Sequence, residues 1–194
     1  MSRSTRLAAI ALLLAGAHAL PAGEDHVALV PWRVAEPGTT VDAPLVLYWI
    51  PASPDEMRRS PLLTSPDLAL FSGRCVAMRV VRPNDTTRLV QLAEEGAPLP
   101  LAVLASGDGE VIGRVGSEDG DGAVDAVEDL VRDELDQRAA EADTLLDRAR
   151  AKAEARDIDG AVMLYQAVWE ARCLCPRQAK DARKALRKLG VRRN

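Results

Sequence analysis

Aromatic residues are scarce in this chain of 194 residues: three Trp, two Tyr and one Phe. Stacking platforms for bases are therefore not available in number, and no nucleic-acid partner is expected. The formal net charge of −4 agrees, being the wrong sign for a dedicated nucleic-acid binder. Histidine is scarcer still. With His18 and His26 alone, neither a His-rich zinc site nor an HExxH motif can be assembled. No metal and no cofactor are expected. Cysteines number three, Cys75, Cys173 and Cys175. That count excludes a disulfide-dense scaffold and leaves at least one thiol unpaired within the chain.

What is present begins with a leader. Arg3 and Arg6 precede the short apolar core Leu7–Leu14, and Ala17-His18-Ala19 is a small-x-small cleavage signal. This reads as a secretory signal peptide over residues 1–22, too short for a membrane span. The expected mature chain is exported, periplasmic or secreted, with no integral membrane segment. Losing Arg3 and Arg6 takes the net charge from −4 to −6. His26 falls in the segment after the leader and is given no role.

The middle of the chain reads β–β–α–β–α–β–β. Val27–Val34 predicts an edge strand, because Pro31 lacks a ladder donor. Leu45–Ile50 and Leu101–Ala105 are apolar at every position, as in strands buried on both faces. Helical segments broken at Pro61 and Pro66 follow the first, and Cys75–Val81 is the next strand. A helix capped by Asp85 or Thr86 comes after it. Ser106-Gly-Asp-Gly109 is a hairpin turn signal leading into Glu110–Val115. Strands separated by helices imply parallel pairing, and the hairpin adds an antiparallel strand. From Ala123 to Asp159 there is no Gly or Pro, and apolar residues recur near the helical 3.6. One helix of about 30 residues and about 45 Å is predicted. A turn at Asp157–Gly160, a second helix ending at Cys173–Pro176 and a third from about Arg177 to Leu189 complete the chain.

The stretch Tyr48-Trp49-Ile50-Pro51-Ala52-Ser53-Pro54-Asp55-Glu56 raises the functional question. It resembles the strand and loop of thioredoxin-like proteins, whose pattern is aromatic-Trp-Ala-Pro-Trp-Cys-Gly-Pro-Cys. Leu99-Pro100 resembles that family's proline, cis before a central strand, and Gly107–Gly116 its following hairpin. The resemblance spans roughly Val27–Leu135. It implies an α/β fold: a thioredoxin-like mixed sheet flanked by helices, over residues 23–136. Ser53 stands where the attacking cysteine would be, and Glu56 where the resolving one would be. A serine hydroxyl cannot form a mixed disulfide, and no histidine stands by to make it a nucleophile. Ser53 instead fits a helix N-cap with Pro54 at the first helical position. The alternative role is binding: Trp49, Pro51, Ser53, Pro54, Asp55, Glu56, Leu99 and Pro100 would hold an extended peptide without reacting with it.

Residues 137–194 resemble one and a half tetratricopeptide repeats, with Ala161 and Tyr165 at familiar places, although Pro176 comes about three residues late. So short an array needs a neighbour: the α/β unit, a second copy in a homodimer, or a protein partner. Cys173 and Cys175 are spaced tightly for a mutual disulfide, and no second pair completes a zinc site. Packing, or a long-range bond with Cys75, is the preferred reading. Redox use of Cys173, Cys175 or Cys75 is the alternative. Cys75, at an apolar strand start, reads as a small buried hydrophobe. Asp119, Asp121 and Asp125 fail the EF-hand pattern and read as an acidic helix start. Charge is polarised: nine acids against Arg132 over residues 118–136, and nine bases against Asp181 over residues 172–193. The expected function is an exported, redox-inactive interaction or scaffold module. Alternatives are a thiol–disulfide oxidoreductase and a structural homodimer through the helical extension.

Overall fold

Strand β2 (Leu45–Ile50) is buried at all six positions, and its alternating side chains enter two different cores. Leu45, Leu47 and Trp49 join one apolar cluster, whereas Val46, Tyr48 and Ile50 join the other. Both faces of the sheet are thus covered, as the all-apolar run predicts. The computed structural model describes residues 29–36, 39, 41–93, 96–116 and 123–191. The leader over 1–22, His26, Asp119 and Asp121 lie outside the described residues.

The sheet is mixed, with five strands in the order β1-β3-β2-β4-β5. β1 (Arg33–Val34) and β2 both run parallel to β3 (Val76–Val80). β4 (Leu101–Ser106) runs antiparallel to β2 and to β5 (Val111–Val115). α1 (Glu56–Arg59), a 3-10 turn (Pro61–Leu63) and α2 (Pro66–Ser72) connect β2 to β3. α3 (Thr86–Leu92) connects β3 to β4 and is capped by Asp85, whose carboxylate accepts from the Arg88 N–H at 3.1 Å. Leu89 and Leu92 of α3 pack in the cluster of Val46 and Tyr48. Leu68 and Phe71 of α2 pack in the cluster of Leu47 and Trp49.

α4 (Ala123–Glu154) has 32 residues, about 48 Å at 1.5 Å per residue. Val127, Val131 and Leu135 join the same cluster as Trp49 and Leu104. Ala142, Leu146 and Ala149 continue that cluster to Ala161, Tyr165 and Val168 of α5 (Ile158–Glu170) and Ala182 and Leu186 of α6 (Pro176–Lys188). The fold is therefore α/β with three C-terminal helices sharing one apolar core with the sheet.

Two expectations need correction. Among the described residues the first strand is reduced to Arg33–Val34, and Val27 and Ala28 lie outside them. Its upstream residues bond elsewhere: the Val30 N–H donates to the Leu63 carbonyl at 3.0 Å, and the Trp32 indole to the Leu62 carbonyl at 2.9 Å. The turn expected at Asp157–Gly160 falls earlier. Arg156 takes a positive φ of 63°, and Asp157 caps α5, its carboxylate accepting from the Gly160 N–H at 3.0 Å. Gly160 lies inside α5, where an added Cβ would meet that capping carboxylate at 2.5 Å.

Candidate functional site

The loop after β2 closes on itself. The Ser53 Oγ accepts from the Glu56 N–H at 3.2 Å, and the Ser53 carbonyl accepts from the Met57 N–H at 3.1 Å. Glu56 reaches back, its Oε2 accepting from the Ala52 N–H at 2.7 Å. This is a reciprocal cap of the capping-box kind, shifted by one residue on the return bond. Ser53 therefore caps the first turn, with Pro54 just inside it, although regular α1 begins only at Glu56. Asp55 is spent on Arg58 at 2.5 Å, both side chains being exposed. Pro51 is buried.

Ile50 pairs with Leu101 across β2 and β4, so Pro51 and Pro100 stand at the same end of neighbouring strands. The Leu99–Pro100 peptide is cis, as the thioredoxin-like resemblance implies. Beside this end lies a half-open cavity of about 320 Å³. Its walls include Trp49, Leu62, Pro100, Leu101, Val115, Val124 and Val127, and Glu56, Arg59 and Ser60 bring the polar atoms. Trp49, Glu56 and Pro100 of the sequence-derived set are brought together here. Pro51, Ser53, Pro54, Asp55 and Leu99 are not among its lining residues. Arg59, Leu62, Val115 and Val127 carry no sequence motif that would have pointed to them.

The cysteines are arranged differently from a local pair. Cys75 and Cys173 form a disulfide with a Cα–Cα separation of 5.7 Å across 98 residues. Cys75 is half-buried, with a positive φ of 59°, rather than a buried hydrophobe within β3. Beside the bridge, the Arg74 guanidinium donates to the Leu174 carbonyl at 2.5 and 3.2 Å. Cys175 is a free, buried thiol. Burial pushes its pKa up, and Arg74 and Arg138 oppose that shift only in part. A thiol so placed is poorly ionised and a weak nucleophile at neutral pH.

The acidic front of α4 is partly neutralised in place. Arg132 pairs with Asp67 at 2.7 Å and with Asp129, and half-buried Arg138 holds buried Glu134 at 2.7 Å. Along α6, Arg177, Lys180, Arg183, Lys184, Arg187 and Lys188 are all exposed. Among the described residues no ion pair reaches any of the six. Arg183 lies over the Trp169 ring of α5 at 5.5 Å, as does Arg172. No described helix is long and apolar enough to cross a membrane. Comparison with known proteins finds no matching family model, no matching curated protein and no matching solved structure.

Proposed function

We propose that the chain is a non-catalytic interaction module whose α6 surface docks an acidic protein partner. The observation that carries the non-catalytic half is the reciprocal cap of Ser53 and Glu56. The two positions that would hold thiols in a thioredoxin-like enzyme are used to finish a helix. The mixed sheet flanked by helices on both faces supports that resemblance, and the packing of α5 on α4 supports the tetratricopeptide-like reading of the extension. The Cys75–Cys173 bridge favours an oxidising compartment and hence export.

The docking half rests on charge. Arg177, Lys180, Lys184, Arg187 and Lys188 recur at helical spacing along one exposed stripe of α6, opposite buried Ala179, Ala182 and Leu186. Unpaired like charges on one face attract a surface of opposite sign and steer its approach. The stripe carries no large apolar side chain, which favours an acidic protein over insertion into lipid.

The test is fluorescence anisotropy of a labelled glutamate-rich peptide with the purified mature chain. Binding is expected, weakening as salt rises, and lost when Lys180, Lys184 and Arg187 are all changed to Glu. Binding to anionic vesicles but not to the peptide would reassign the stripe to a lipid surface. Binding to neither would remove the docking proposal. Light scattering on the same sample tests the homodimer alternative, which a monomer at all concentrations would eliminate.

A further inference from the structure

One face of α6 carries charge that its own chain does not answer. Arg177, Lys180, Lys184, Arg187 and Lys188 are exposed on the side opposite buried Ala179, Ala182 and Leu186. Among the described residues no carboxylate pairs with any of the five. Like charges three and four residues apart on a helix repel one another. An acidic surface of the same length relieves that repulsion and is steered toward it.

The chain holds such a surface on another helix. Asp125, Asp129, Asp133 and Asp136 are exposed on α4. They recur at steps of four, four and three residues, so they share one face. Val127, Val131, Glu134 and Leu135 are buried on the opposite side. Asp125 to Asp136 and Arg177 to Lys188 are both eleven residue steps, about 17 Å of helix each. Asp129 pairs with Arg132, and among the described residues no cation pairs with Asp125, Asp133 or Asp136. Farther along α4 the acids are in use: Asp143 accepts from the Gln178 amide at 3.1 Å, and Asp147 pairs with Arg150 at 2.6 Å. The two stripes do not meet within one molecule. The Gln178 bond ties α6 to α4 seven residues past Asp136, about 10 Å farther along the helix.

We propose that the acidic partner of α6 is the front of α4 in a second copy of this chain. The proposal rests on the reading of α6 as a docking surface and names what docks there. The basic stripe of one copy lies along Asp125–Asp136 of the other. Made in both directions, the contact closes a two-fold pair in which each copy gives one basic and one acidic stripe. Repulsion between two acidic stripes disfavours the rival arrangement of α4 on α4.

Sedimentation of the purified protein over a range of concentrations and salt tests this. The unmodified chain is expected to reach twice the monomer mass at low salt and to return to monomer as salt screens the stripes. Two charge-reversed variants carry the argument further. One has Lys180→Glu, Lys184→Glu and Arg187→Glu; the other has Asp125→Lys, Asp133→Lys and Asp136→Lys. Each alone should dimerise about tenfold more weakly or worse, the loss of three surface pairs. Mixed in equal amounts they should pair again, because the acidic α6 of the first meets the basic α4 of the second, and the reverse. Zero-length carbodiimide cross-linking of the unmodified protein, mixed with an isotope-labelled copy, reads the contact without any substitution. Links between chains are expected from Lys180 or Lys184 to Asp125, Asp133 or Asp136. A monomer under all conditions, a dimer that neither reversal weakens, or links placed elsewhere would overturn the proposal. A monomer that still binds the glutamate-rich peptide would sink the second copy alone and leave α6 as a docking surface. A monomer that binds no peptide would remove both.

Discussion

A serine and a glutamate three residues apart can satisfy the open N–H groups at a helix start, and positions 53 and 56 do so here. Replacing Ser53 by Ala should cost about 1 kcal/mol of stability, the usual worth of an N-cap, measured by urea unfolding. Because Ser53 and Glu56 act on one turn, the double alanine variant should lose less than the sum of the two singles. Strict additivity would show that the two side chains do not work as a unit. Cys175 makes a second prediction at this scale. Its folded pKa is raised by burial, so the neutral thiol favours the folded state below the unfolded pKa. That contribution is lost as pH rises through the folded value. The wild type should therefore lose stability relative to Cys175→Ala as pH climbs through the alkaline range. Native protein should also resist iodoacetamide at neutral pH, with reaction becoming fast on unfolding. Rapid native alkylation would contradict the burial.

Elements differ in how far the sequence announces them. β2 and β4 are legible because runs of five or six apolar residues, bounded by Pro44 and Pro51 and by Pro100 and Gly107, are too short for a buried helix and suit a strand covered on both faces. α4 is legible because its apolar steps follow the helical period for about 30 residues. The 3-10 turn and α2 were foreshadowed by Pro61 and Pro66. β1 is shorter than Val27–Val34 suggests because nothing in that stretch tells that Trp32 reaches the Leu62 carbonyl instead of lying along the sheet. The α4–α5 turn falls earlier than the sequence suggests because Gly160 looks like a breaker. It lies inside α5, where its N–H donates to the capping carboxylate of Asp157 at 3.0 Å. Of the cavity the sequence marks only Trp49, Glu56 and Pro100, since its walls come from five separated segments. One glycine at this scale is a direct test of the hairpin. A Cβ on Gly107 would come within 2.3 Å of the Ala43 carbonyl oxygen. That backbone neighbour is itself held, because the Gly107 N–H donates to the Pro44 carbonyl at 3.0 Å. Gly107→Ala should destabilise by roughly 1–3 kcal/mol. A neutral result would mean that the approach of hairpin and strand is looser than described.

Across the whole molecule, one apolar core runs from the sheet through α4 to α6, and one covalent tie crosses the same ground. Closing a loop of about 100 residues removes unfolded-chain entropy worth about 4.7 kcal/mol in the chain-entropy model. The pair of substitutions Cys75→Ser and Cys173→Ser should lower the urea midpoint by a large margin while the fold persists on its shared core. An unchanged midpoint would mean the bridge constrains little. No residue spacing could have chosen Cys173 over Cys175 as the partner of Cys75, because the choice depends on how the helical extension lies against the α2–β3 turn. That choice bears directly on function, since it takes Cys173 out of any local redox pair and leaves Cys175 buried. The most direct test is disulfide mapping and thiol titration of the protein produced under oxidising conditions, paired with insulin reduction. A Cys75–Cys173 bridge, one thiol that titrates only after unfolding, and no turnover are expected. A Cys173–Cys175 bond that cycles with reductant and drives insulin reduction would contradict it.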